Sequence, residues 1–84
     1  MAYAVILRRS AEKELDRFPE QVRHRIARRL LELESAPRPH GVQKLQGHDG
    51  YRIRVGDYRV LYLMDDEAKT IEILAVGHRR EVYR

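Results

Sequence analysis

The chain has 84 residues and no cysteine, which bounds it to one domain with a modest core. It also excludes a disulfide framework and any cysteine-based metal site, and it fits a reducing cytosol. Seventeen Lys and Arg against 13 Asp and Glu leave a formal net charge of +4; this favours an anionic partner, either nucleic acid or an acidic protein, although a basic balance also serves solubility alone.

The longest apolar run, which includes residues 3–7, YAVIL, falls far short of the roughly 20 residues that a membrane-spanning helix needs. The run is followed by Arg8 and Arg9, the reverse of the order in a signal peptide. A cytoplasmic protein with no membrane association is therefore expected, and residues 3–7 are read as a buried strand. Ser10 then offers an N-cap, and Glu12 suits the positive end of a helix dipole. Ala11, Leu15 and Phe18 recur at helical spacing, which predicts a short first helix. Pro19 ends it, because the residue before a proline avoids the α region, and Pro19 also suits the first position of a second helix. That second helix is predicted over residues 19–35. Val22, Ile26, Leu30 and Leu33 make its apolar stripe, while Arg23, Arg25, Arg28 and Glu32 occupy other sides. Leu31 falls opposite the stripe, either as a singly exposed leucine or as part of a partner surface.

Residues 36–41, APRPHG, break the helix, and a loop is expected through Lys44 to Gly50. A hairpin follows over residues 50–62, GYRIRVGDYRVLY, then a turn at residues 65–69, a strand at 70–76 and a tail, GHRREVYR, at 77–84. The order strand, two helices, three strands predicts an α+β domain. It would carry a small, mostly antiparallel four-stranded sheet, with an N-terminal helical hairpin packed on one face.

Gly56-Asp57 suits a two-residue turn, since glycine readily takes positive φ. That turn pairs Val55 with Tyr58, Arg54 with Arg59, Ile53 with Val60, and Arg52 with Leu61. Alternation then puts Tyr51, Ile53, Val55, Tyr58, Val60 and Tyr62 on the helix-packed face. Arg52, Arg54 and Arg59 share the other face. Like charges directly opposite cost roughly 0.2–1 kcal/mol, so folding alone does not favour this choice. Guanidinium forks match phosphate oxygens, which makes one reading a face prepared for a polyanion. A solvated basic face, or one arginine neutralised by Glu72 on the next strand, are the other readings. In the tail, Gly77 allows the strand to end or bend, His78, Arg79 and Arg80 add cationic capacity, and Tyr83 adds a ring of the kind on which unstacked RNA bases lie. A frayed basic terminus, with Tyr83 packed on the core, is the bland alternative.

His40 and His48 lie in loops, and no histidine pair has zinc-motif spacing. No metal or other cofactor is expected. The sequence lacks a GxGxxG or P-loop signature and any recognisable Ser or Cys nucleophile motif.

The string KLQGHDGYRIRVGDYRVLYLMDDEAKTIEILAVGHRREVYR, residues 44–84, resembles the RelE/ParE toxin superfamily, specifically the RelE-type messenger-RNA endonucleases. RRSAEKELDRFPEQVRHRIARRL in the helical half is similar to the same family, so the resemblance spans nearly the whole chain as a single toxin domain, residues 1–84. It implies a toxin of a type II toxin–antitoxin system that enters the ribosomal A site, contacts ribosomal RNA and cuts messenger RNA there. The attacking group would be the RNA's own 2′-hydroxyl, with no metal required, and a cognate antitoxin would hold the toxin inactive. By resemblance, Arg52, Arg54, Arg59 and Arg79 stabilise charge on the phosphate, Tyr83 stacks on the substrate base, and Lys44 and Arg80 bind RNA. Arg80 is also the alternative to Arg79, because tail lengths differ in the family. Family members often carry lysine where Arg54 stands. An arginine keeps its proton at neutral pH, so a general base is not expected there. His78 is the nearest group able to shuttle protons, with contact to backbone or RNA as its alternative role. General acid–base help contributes roughly 10²–10⁴-fold, so its absence implies a slower enzyme, not an inert one. Two other readings stay open: a ParE-like inhibitor of DNA gyrase, and a non-toxic interaction module.

Overall fold

A computed structural model describes residues 2–45 and 50–78 of the chain. The elements are β1 (Ala4–Leu7), α1 (Arg9–Asp16), α2 (Glu20–Leu33), β2 (Gln43–Lys44), β3 (Gly50–Val55), β4 (Tyr58–Asp65) and β5 (Thr70–His78). The sheet is five-stranded, in the order β1-β5-β4-β3-β2. β1 runs parallel to β5, and every other pair is antiparallel. The α+β class is as expected, but the four-stranded sheet is not. The fifth strand, β2, lies where a loop was expected. Its two residues pair Gln43 with Arg52 and Lys44 with Tyr51. Two exposed polar residues leave no alternating pattern to read, and only the edge of β3 makes them a strand.

β1 was expected to be buried; it is an edge strand instead, alternating exposed and half-buried, with Ile6 53% exposed. Helices cover one of its faces only. The sheet also moves the start of α1. The Arg8 backbone N–H donates to Ile73 O at 3.0 Å, which holds Arg8 extended and lets the helix begin immediately after it. Ser10 therefore lies inside the first turn and caps nothing; its Oγ instead donates to Leu74 O at 3.5 Å. Pro19 likewise stands just before α2, not within it. Arg23 Nη1 donates to the Phe18 carbonyl at 3.1 Å, tying the connection between the helices.

The core forms between the helices and one face of the sheet. Ile26, Leu30 and Leu33 of α2 and Ala11 of α1 meet Ile53, Val55, Val60, Tyr62, Ile71, Ile73 and Val76. The apolar positions of α2 recur every three or four residues, so they form a single stripe, and each fully buried aliphatic contributes about 1.5–3 kcal/mol. Leu31 remains 64% exposed. The Tyr62 ring is fully buried and its hydroxyl donates to Pro37 O at 2.8 Å; burial pushes its pKa up to about 12. Among the described residues no helix is long and apolar enough to cross a membrane.

Two features set the course of β5. Opposite Leu61 and Tyr62 its pairing skips one residue: Leu61 faces Ala75 and Tyr62 faces Ile73. This bulge at Leu74 reverses the alternation, so Ile71, Ile73 and Val76 all reach the core. β1 stops pairing at Ile73, and beyond that point side chains of α1 take over the strand edge. Glu14 Oε1 accepts the Val76 N–H at 2.9 Å. The strand was expected to end at Val76, with Gly77 releasing it; held in this way, it continues through Gly77 to His78.

At the other end of the sheet, Asp66 accepts from Tyr3 Oη at 2.6 Å and from Arg38 Nη2 at 2.7 Å. Asp65 Oδ1 closes the same turn by accepting the N–H groups of Glu67 and Ala68, both at 3.0 Å. The hydrogen bond from Arg38, then that from Tyr3, lowers the Asp66 pKa below the usual carboxylate value. A lowered folded-state pKa stabilises the protein above the unfolded-state value, and the benefit is lost as pH falls through the folded one. Asp66→Asn is therefore expected to lower the melting temperature at pH 7, with the difference from the parent shrinking as thermal melts are repeated down to pH 3.

Candidate nucleic-acid interface

The hairpin adopts the register that its turn demands. Val55 pairs with Tyr58, Arg54 with Arg59, Ile53 with Val60, and Arg52 with Leu61. Gly56 has φ 62°, while Asp57 is not in the positive-φ region; this is the type II′ pattern, whose twist suits a hairpin. Ile53, Val55, Val60 and Tyr62 are buried against the helices. Arg52, Arg54 and Arg59 consequently share the face that the helices leave open.

Their surroundings differ. Arg54 is exposed, Arg52 is half-buried, and Arg59, on the central strand, is only 7% exposed. Arg52 Nη2 donates to Gln43 Oε1, so β2 orients this arginine. Gln43 was not foreseen; beside Lys44 in a presumed loop, it carried no signal. On the other flank Arg59 stands opposite Gly77, with Ala75 two positions back opposite Leu61. The bulge at Leu74 thus brings two small residues to the arginine face beside Arg59.

Glu72 does not neutralise this group. It faces Leu63, and Arg8 takes it, with Nη2 to Oε2 at 3.0 Å. Among the described residues neither Arg52 nor Arg54 forms an ion pair. Lys44 is not brought to this face. It pairs with Tyr51, and cross-strand partners share a side, so it projects away from Arg52. It lines a separate cavity of about 740 Å³ with Arg38, Asp65, Asp66 and Glu67. His78 pairs with Tyr58 on the helix side; their rings meet edge-on at 5.7 Å, and Tyr58 packs on Phe18 at 4.8 Å. Arg79, Arg80 and Tyr83 lie outside the described residues, as does His48. The strand leading to the tail does run past Arg59, since Gly77 is its direct partner.

Fold and face together define a small α+β domain that presents a cluster of arginines on the open side of a mixed sheet. Comparison with known proteins places it further. Residues 5–83 match the family model described as the ParE toxin of type II toxin–antitoxin systems, parDE. Toxin RelG of Mycobacterium tuberculosis is 31% identical over 86 residues, covering 100% of this chain and 99% of that protein. The mRNA interferase toxin RelE of Escherichia coli is 33% identical over 88 residues, covering 99% and 92%. The archaeal RelE–RelB complex of Pyrococcus horikoshii contains a chain of the same fold, with a TM-score of 0.84 and 35% identity, covering 94% of this chain and 97% of that one. The chain belongs to the RelE/ParE superfamily of type II toxin–antitoxin toxins, and its RelE-named relatives align along nearly its whole length.

Arg54 opposite Arg59 is a stability cost retained in the fold. Arg54→Thr is expected to stabilise the protein by about 0.2–1 kcal/mol in urea denaturation, since it removes a like-charged cross-strand pair. The same variant is expected to gain less thermal stability than the parent from added polyphosphate.

Proposed function

We propose that the chain is a ribosome-dependent endoribonuclease, the toxin of a type II toxin–antitoxin pair that acts in the cytoplasm. It cuts messenger RNA in the ribosomal A site and is neutralised by a cognate antitoxin. The observation that carries this reading is the pairing of Arg54 with Arg59, beside Arg52, on the open face of the sheet. The name of the Escherichia coli relative, an mRNA interferase toxin, supports the activity. The RelE–RelB complex from Pyrococcus horikoshii supports the antitoxin partner.

The chemistry asked of the site is modest. The 2′-oxygen of one nucleotide attacks the adjacent phosphorus, and the bond from phosphorus to the 5′-oxygen of the next nucleotide breaks. A 2′,3′-cyclic phosphate and a 5′-hydroxyl result. Negative charge builds on the non-bridging oxygens during attack, and fixed guanidinium donors stabilise it without reorganising. Arg54 and Arg59 are assigned to that charge, Arg52 to the flanking phosphate, and the tail residues Arg79 and Tyr83 to the phosphate and the base. Arg80 stays as the alternative to Arg79. The 2′-hydroxyl proton passes to water and the departing 5′-oxygen takes one from water, because arginine retains its proton and His78 stands on the helix side of the sheet. The nucleophile belongs to the RNA and the charge is met by guanidinium groups, so the mechanism is metal-independent.

The match to the ParE family model favours one other reading, inhibition of DNA gyrase. The two separate in one experiment. Primer extension on messages from cells expressing the parent chain is expected to show cuts at defined codon positions. Arg59→Ala, confirmed folded by circular dichroism, is expected to lose them by about 10²-fold or more, the usual effect of removing one such donor. Undiminished cutting by the folded variant overturns the assignment of Arg59. Intact messages with double-strand DNA breaks favour the gyrase reading.

A further inference from the structure

Three arginines of α2 lie near the part of the sheet with no strand beside it. β2 pairs with β3 at Tyr51 and Arg52, so among the described residues the edge of β3 beyond Arg52 has no neighbouring strand. Arg25, Arg28 and Arg29 recur at i, i+3 and i+4, which puts them on one side of the helix. Together with Arg54, Val55 and Gly56 they line a cleft of about 370 Å³.

The charge in this cleft is unbalanced. Among the described residues its one acidic wall residue, Glu32, is held by Arg29 at 2.7 Å. Arg25 and Arg28 are exposed and form no ion pair among the described residues. Arg25 is also seated: a Cβ placed on Gly56 would fall 2.8 Å from its Nη2. The guanidinium therefore rests against the hairpin turn. Gly56 serves two ends, the positive φ of the turn and the room for this side chain. Arg54 belongs to both places, since it pairs with Arg59 on the open face and also lines the cleft.

We infer that the cleft between α2 and the hairpin turn is a phosphate-binding subsite that holds RNA backbone flanking the cut. It rests on the nuclease reading for its ligand class and adds a second contact region, reached across Arg54. An arginine pair that no carboxylate of the described residues satisfies matches phosphate oxygens in bidentate fashion. Such contacts raise affinity without reading sequence. The arginines also discourage another chain from pairing with the bare strand edge, but that purpose alone does not require their convergence with Arg54.

The test is fluorescence anisotropy with a labelled 12-nucleotide single-stranded RNA between 50 and 200 mM KCl, on the parent and on Arg25→Ala/Arg28→Ala. Loss of two phosphate contacts is expected to weaken binding several-fold and to reduce the slope of log K against log salt by about 1.4. Arg28→Glu, at an exposed helix position, gives the same readout should the double variant fail to fold. A slope equal to the parent's, in a folded variant, overturns the subsite and leaves the nuclease reading intact. Conversely, a reduced slope supports the subsite even if the parent cuts no message. Unchanged RNA binding with lost binding of poly-glutamate overturns it in favour of an acidic protein partner.

Discussion

The register between β3 and β4 is the constraint on which the rest depends. A two-residue turn at Gly56-Asp57 permits one pairing of the strands, and alternation then assigns every side chain to a face. Ile53, Val55, Val60 and Tyr62 enter the core, and Arg54 meets Arg59 on the other side. The magnitudes show why this arrangement persists. Each buried aliphatic on the core face contributes about 1.5–3 kcal/mol, whereas the opposed arginines cost roughly 0.2–1 kcal/mol. Slipping by one residue would relieve the smaller energy by forfeiting the larger. The fold can therefore carry a self-repelling face, already assembled for the anionic ligand proposed above.

The bulge in β5 completes that face. Had the strand kept strict alternation from Ile71, Gly77 and Ala75 would follow Ile73 into the core and Val76 would turn outward. Skipping Leu74 sends Val76 inward and sets Gly77 opposite Arg59. Glu14 holds the displaced segment through the Val76 N–H, and Ser10 bonds Leu74 O. A side chain of the first helix thus holds the last strand where it passes Arg59. On the far flank the paired strand β2 supplies Gln43, which orients Arg52, and arginines of α2 share a cleft with Arg54, Val55 and Gly56.

Charge is partitioned along the sheet. At the turn between β4 and β5, Asp66 is tied to Tyr3 and Arg38, and Glu72 is tied to Arg8. Near the hairpin tip the guanidiniums of Arg25, Arg28 and Arg54 have no such carboxylate among the described residues. Asp66 and Glu72 thus help close one end of the domain, while toward the hairpin tip the arginines outnumber Asp57 and the Arg29-held Glu32, which concentrates positive charge there. A net charge of +4 understates that field, because the balance is uneven in space.

Local chemistry determined a good deal of this protein from the sequence alone. The helical stripe of Ile26, Leu30 and Leu33, the turn at Gly56, the pairing of Arg54 with Arg59 and the two faces of the hairpin all depend on contacts between residues near in sequence, where periodicity and turn geometry suffice. Tertiary structure decided the rest, since these features depend on partners distant along the chain. β2 exists only because β3 offers it an edge; β1 is an edge strand because β5 pairs with it on one side; α1 starts after Arg8 because Ile73 holds that residue. Lys44 parted from the arginines by the parity of a two-residue strand, and Glu72 by its meeting with Arg8, more than sixty residues away in sequence. Short-range pattern carries no record of such meetings, whose energies arise only once the sheet has closed.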